Sequence, residues 1–119
     1  MLELVFKSGN EAETDSRRVA KAFGKLHKDV IRAIENLECP ADFAKRNIAL
    51  CYEINELANG KPVKYYRLSE SGAMLLIMGF TGSEAVKVKL AFIEAFKEMR
   101  EQIAAAFRRL CVETLTIWK

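Results

Sequence analysis

The stretch from Asp15 to Leu37, DSRRVAKAFGKLHKDVIRAIENL, constrains the fold more than any other part of the chain. Its pattern predicts two short helices joined by a tight turn. Asp15 or Ser16 can accept from the free backbone N–H groups that open a helix. Val19, Ala20, Ala22 and Phe23 give an apolar stripe at helical spacing. Gly24 lies one turn after Ala20 and can take the positive φ that ends a helix. Lys25, Leu26 and His27 make the turn. The second helix then points Val30, Ile31, Ile34 and Leu37 inward, and at about 100° per residue Lys28, Asp29, Arg32 and Asn36 share the opposite, solvated face. Small Ala20 permits close approach of the two helices, and Val30 plugs the crossing. This is a helix-turn-helix pattern, in a spacing that ordinary helical hairpins share.

Charge separates the two readings. Arg17, Arg18, Lys21, Lys25, Lys28 and Arg32 face only Asp29 between positions 17 and 32. A helix that reads DNA needs cations for phosphate and long polar side chains for base edges. The candidate DNA-contacting residues here are Arg17, Arg18, Lys21, Lys25, His27, Lys28, Asp29, Arg32 and Asn36. Lys28 and Arg32 are expected to touch DNA directly, while Arg17 and Lys25 meet phosphate. His27 sits near the inward side, so a packing and hydrogen-bonding role in the turn is favoured over a DNA contact.

A chain of 119 residues fits one domain. With half its residues hydrophobic, it has the material for a real core. Its net charge is only +3, so local clustering matters more than the total. Cys39, Cys51 and Cys111 form neither a CxxC metal pair nor a disulfide framework, and free thiols suit a reducing cytoplasm. His27 is the only histidine, which argues against a His-rich metal site. No nucleophile–base pair or carboxylate pair stands out, so neither an enzyme nor a cofactor is expected. The start Met1-Leu2-Glu3-Leu4 does not read as a signal peptide, and no segment approaches the roughly 18 apolar residues of a membrane span.

Leu2, Leu4 and Phe6 alternate with Glu3, Val5 and Lys7, which predicts a strand. Ser8-Gly9-Asn10 turns it, and Glu11 to Thr14 return as a second. The helical pair is expected to stop at Cys39-Pro40, because the residue before proline avoids helical geometry. Residues 41–47 read as a loop or a single helical turn anchored by Phe43, with Lys45 and Arg46 exposed and near phosphate. Ile48, Leu50, Tyr52 and Ile54 give the clearest strand. Asn59-Gly60 signals a turn, and Val63, Tyr65 and Leu68 lie on the returning strand, where Pro62 suits an edge. A hairpin after a helix-turn-helix reads as a wing, with Asn59, Lys61 and Lys64 at or near its tip.

Ser69 or Ser71 caps a third, buried helix that Gly79 ends, with Phe80 as a core plug. The following GFTGS lacks the lysine and spacing of a phosphate-binding loop. A long helix is predicted from Glu84 to Leu110. On it Phe92, Phe96, Met99, Ile103, Ala106 and Leu110 recur at alternating spacings of four and three, a heptad seam that Phe107 widens. The tail from Cys111 to Lys119 reads as β-like and apolar. The expected architecture is α+β: a winged helix-turn-helix-like unit over residues 1–82, then the long helix and tail over 83–119 as part of the same fold. Met99, Ile103, Ala106, Phe107, Leu110, Leu115 and Trp118 are the candidate dimerisation residues.

From Val5 to about Ile103 the chain resembles the phage regulatory protein Rha family. The resemblance rests on SRRVAKAFGKLHKDVIRAIENL and on YRLSESGAMLLIMGFTGSEAVKVKLAFIEAFKEM. The second block follows the family's L-T-x-x-G-x-x-L-L-x-M-G-F-T-G pattern, with Ser69 in place of the usual threonine but keeping a hydroxyl cap. The resemblance implies a regulator of temperate phages and prophages with a winged-helix-like N-terminal region, working in the cytoplasm of a bacterial host. Double-stranded DNA and a second copy are the expected partners. The rival expectation is an antirepressor that binds a repressor protein. Related antirepressors carry an added C-terminal module in some cases, and none is expected within these residues.

Overall fold

The computed structural model describes residues 4–54 and 60–117, with side chains as far as Leu110. Among the described residues one antiparallel sheet and five helices make an α+β fold. The strands are β1 (Phe6–Ser8), β2 (Glu11–Asp15), β3 (Ile48–Ile54) and β4 (Pro62–Ser69). The helices are α1 (Ser16–Phe23), α2 (His27–Glu35), α3 (Ala41–Asn47), α4 (Glu70–Ile77) and α5 (Ser83–Ile117). The sheet order is β1-β2-β4-β3, so α1, α2 and α3 are inserted between β2 and β3.

Alternation decides the sheet faces. Thr14 lies opposite Leu68, and both are fully buried. Asp15 opposite Arg67 begins the other face. The helices cover the first face, where Val19, Val30, Leu68, Phe92 and Phe96 are all 0% exposed. Phe23 bridges the layers, with its ring edge-on to Phe80 at 4.8 Å and parallel to Phe92 at 6.0 Å. Ser69 caps α4 by accepting from the Gly72 backbone N–H at 3.1 Å. Gly72 is required here, since a Cβ would lie 2.7 Å from the Asn47 carbonyl oxygen. Among the described residues no helix is long and apolar enough to cross a membrane.

Four expectations need correction. The strand expected from Leu2 is, among the described residues, confined to Phe6–Ser8. The second helix ends at Glu35, with Asn36 out of helical geometry at φ −96° and ψ 5°, well before Cys39-Pro40. Pro62 is not on an edge strand: β4 is internal, flanked by β2 and β3, and accepts a proline only as its first residue. The tail is not β-like, because α5 continues to Ile117. No glycine or proline interrupts residues 83–117, and each added residue extends an established hydrogen-bond ladder. The 35 residues of α5 make it about 52 Å long at 1.5 Å per residue. Its first half enters the core through Ala85, Phe92 and Phe96.

Candidate nucleic-acid interface

Local chemistry places α1 and α2. Asp15 is 1% exposed and caps α1, accepting from the Arg18 backbone N–H at 2.9 Å. Gly24 ends α1 in the left-handed region at φ 65°, and the Lys25 N–H returns to the Ala20 carbonyl at 2.9 Å. The turn that follows lets α2 cross α1, with Val19 and Ala20 against Val30 and Ile34. Lys28, Asp29 and Arg32 then stand exposed on the outer face of α2, as their spacing predicts, and Asn36 is exposed just past its end. Arg32 and Asp29 are 4.0 Å apart, with the Arg32 side chain 71% exposed.

The cations on α1 are placed differently. Arg17 pairs with Asp15 and Glu53, and its guanidinium lies 3.9 Å from the centroid of the Tyr65 ring. Arg18 pairs with Asp15 and lies 4.6 Å from the Phe6 ring centroid. Both are turned toward the sheet, away from the outer face of α2. Lys21 and Lys25 are exposed, and the Lys25 ammonium lies 4.8 Å from the Phe80 ring centroid.

His27 packs into the turn. Its Nε2 lies 2.8 Å from the Ser16 hydroxyl, which is fully buried and also accepts from the Tyr66 backbone N–H at 3.0 Å. Burial, and then the nearby Arg17, hold its pKa below the ordinary imidazole value, while Asp15 opposes them. The ring therefore ties α2 to α1 and β4.

The hairpin of β3 and β4 packs beside α2. Lys64 donates to Glu35 of α2 at 2.7 Å, and the Tyr66 hydroxyl donates to the same carboxylate at 3.2 Å. The hydrogen bond from Lys64 lowers the Glu35 pKa, and the reciprocal bond raises that of Lys64. Glu35 was not a candidate from the sequence, since nothing in local spacing shows a helix residue reaching a distant strand. Lys64 thus braces the hairpin rather than standing at its tip. Lys61 is exposed, and Asn59 lies outside the described residues.

Lys45 and Arg46 are exposed on α3. Arg46 lines an open groove of about 740 Å³ together with Arg100, Ile103 and Phe107 of α5, rather than joining α2. Of the candidate dimerisation residues, Met99 is half-buried against the core and Ile103 half-buried in that groove. Ala106 is exposed, and Phe107 and Leu110 are 62% and 63% exposed. The Leu115 side chain and Trp118 lie outside the described residues.

The described residues thus form a small α+β fold with a cationic helical pair against a hairpin. Residues 14–101 match the phage regulatory protein Rha family, and the chain belongs to that family. A 22.8 kDa protein of Salmonella phage P22 encoded between gp15 and gp3 is 40% identical over 102 residues, covering 85% of this chain and 51% of its own. A Haemophilus influenzae protein is 34% identical over 110 residues, 84% of this chain and 62% of its own. The SPbeta prophage protein YoqD of Bacillus subtilis, whose name assigns it a proposed antirepressor role, is 27% identical over 103 residues, 85% of this chain and 41% of its own. The chain thus spans about half the length of these relatives. No solved structure gives a significant match.

Proposed function

We propose that this phage regulator binds double-stranded DNA, with α2 as the reading helix and the β3–β4 hairpin as a wing, and so controls transcription rather than catalysing a reaction. The observation that carries the reading is the order β2-β4-β3 with α1 and α2 inserted between β2 and β3. That order supports a winged helix-turn-helix reading, with α3 as an added helix before β3, and Lys28, Arg32 and Asn36 stand in solvent. The bracing of Glu35 by Lys64 and Tyr66 holds helix and hairpin as one unit. Such a protein works in the bacterial cytoplasm, where phage and host DNA lie. Selection from a randomised duplex pool tests the reading. Enrichment of one sequence, with affinity that falls steeply with salt, supports it. Binding that is absent at every salt concentration overturns it.

A second copy would join through α5. Phe107 and Leu110 are large, apolar and exposed on a helix that outruns its own core. Two-fold pairing there presents two reading helices to successive major-groove faces. Light scattering in which Ile103→Glu lowers the assembled mass, with an unchanged circular dichroism spectrum, supports this contact. A monomer at tens of micromolar, unchanged by Ile103→Glu, excludes it. The same apolar half of α5 favours a second reading, a regulator that occupies a repressor, in keeping with the name given to YoqD. A stable complex with a repressor that excludes DNA would select that reading.

A further inference from the structure

The two edges of the sheet are built differently. At one edge β1 is three residues long and carries Lys7, and both features discourage pairing with another chain. At the other edge β3 runs seven residues, IALCYEI, without proline, lysine or arginine. Its register with β4 is unbroken from Ile48 opposite Leu68 to Ile54 opposite Pro62, so no bulge twists the edge away. Its single charged residue, Glu53, is taken up by Arg17. Among the described residues no strand pairs with the outer edge of β3, which therefore offers backbone donors and acceptors to an incoming strand.

The side chains say which strand fits. Leu50, Tyr52 and Ile54 share one face and are 49%, 62% and 73% exposed. Beside Leu50 lies an open groove of about 390 Å³ walled by Ile34, Leu37, Ile48 and Tyr66, with Glu35 and Lys45 also on its lining. The groove lies at one end of β3 and the most exposed side chain, Ile54, at the other. Two-fold antiparallel pairing brings those two ends together.

We propose that β3 pairs with β3 of a second copy, antiparallel and centred on Cys51, joining two sheets into one. This register gives all seven residues of the strand a partner. It sets Ile48 against the partner's Ile54, which enters the groove, and Leu50 against the partner's Tyr52. Cys51 meets its own counterpart on the opposite face. A slip of one residue would set the apolar row against the face that carries Glu53. The contact rests neither on DNA binding nor on the α5 contact. Chains that use both contacts assemble beyond a dimer.

The test uses the full chain with Cys39→Ser and Cys111→Ser, which leaves Cys51 as the one thiol. Residues directly opposite in an antiparallel pair have Cβ atoms about 4.5–5.5 Å apart, within reach of a short bis-maleimide. At tens of micromolar the expected product is a covalent dimer linked through Cys51. Leu50→Lys and Ile54→Lys, both at exposed positions, should abolish the link and lower the mass seen by light scattering, with an unchanged circular dichroism spectrum. Ile103→Glu should leave the link intact. Absence of the Cys51 link overturns the proposal, whether or not Leu50→Lys changes the mass, because a contact without that link has another register or another occupant. A link that survives both lysine substitutions also overturns it.

Discussion

The helices α1 and α2 both carry cations, yet the fold treats the arginines of α1 and the cations of α2 in opposite ways. The arginines of α1 are partly exposed but engaged by the rest of the fold: Arg17 and Arg18 share the buried Asp15 and lie over the Tyr65 and Phe6 rings. On α2, Lys28 and Arg32 are left in solvent. Position in the helix accounts for the difference. Side chains lean toward a helix's N-terminus, so residues in the first turn of α1 cover the strand that precedes it. Lys28 occupies the first turn of α2, but a turn precedes it rather than a strand. Cationic charge in a sequence therefore does not by itself map a binding surface; its place within the element decides whether it is free to bind.

The sharpest way to break this comparison is to remove what α1's arginines hold. Asp15→Ala deletes a helix cap, worth about 1 kcal/mol, and leaves two arginines facing a site without its carboxylate. The expected loss of stability is about 2–4 kcal/mol, read as a lower urea midpoint. Asp15→Asn, which keeps the cap, should recover part of it. A neutral Asp15→Ala would show that the arginines of α1 contribute no more to the fold than Arg32 of α2 does.

Arg32→Ala should act in the opposite manner. We expect affinity for a selected duplex to fall by about 1–3 kcal/mol, with relaxed sequence preference. Its thermal stability should stay within about 0.5 kcal/mol, because the side chain is exposed. Arg17→Ala should cost at most about 1 kcal/mol of stability through a partly exposed pair and a ring contact, and should leave DNA affinity nearly unchanged. Fluorescence anisotropy beside thermal melts measures both quantities.

The smallest effect belongs to His27. Its folded pKa lies below the ordinary value, so the unfolded chain binds the proton more readily. Stability should be full above the ordinary imidazole pKa and decline as pH falls through it toward the lowered folded value. Melting temperatures at pH 7.5 and pH 5.5 should therefore differ more for the native chain than for His27→Gln. Glu35, whose pKa is lowered, titrates below that window and does not confuse the comparison.

Much of this was legible in the sequence. Asp15, Gly24 and Ser69 mark element ends because caps and left-handed turns are local chemistry. The exposed face of α2 followed from helical period alone. The destinations of Arg17, Arg18 and Lys64 were not legible, because each meets partners on another element. The interior position of β4 was hidden for a related reason: its second neighbour, β2, lies beyond three intervening helices. The tail misled through Val112 and Ile117, whose β-branched side chains favour strands. In α5 they extend a helix already formed, and cooperativity outweighs that preference.

The central claim is that the exposed cations of α2, and not the arginines of α1, engage DNA. The most direct measurement is affinity against salt concentration for three chains: the native one, Lys28→Ala with Arg32→Ala, and Arg17→Ala with Arg18→Ala. The α2 pair should weaken binding, abolish preference for the selected duplex, and flatten the logarithmic salt slope by up to about 0.9 for each phosphate no longer neutralised. The α1 pair, once corrected for any unfolded fraction, should keep the native slope and preference. Equal losses from both pairs, or a larger loss from the α1 pair, would contradict the account.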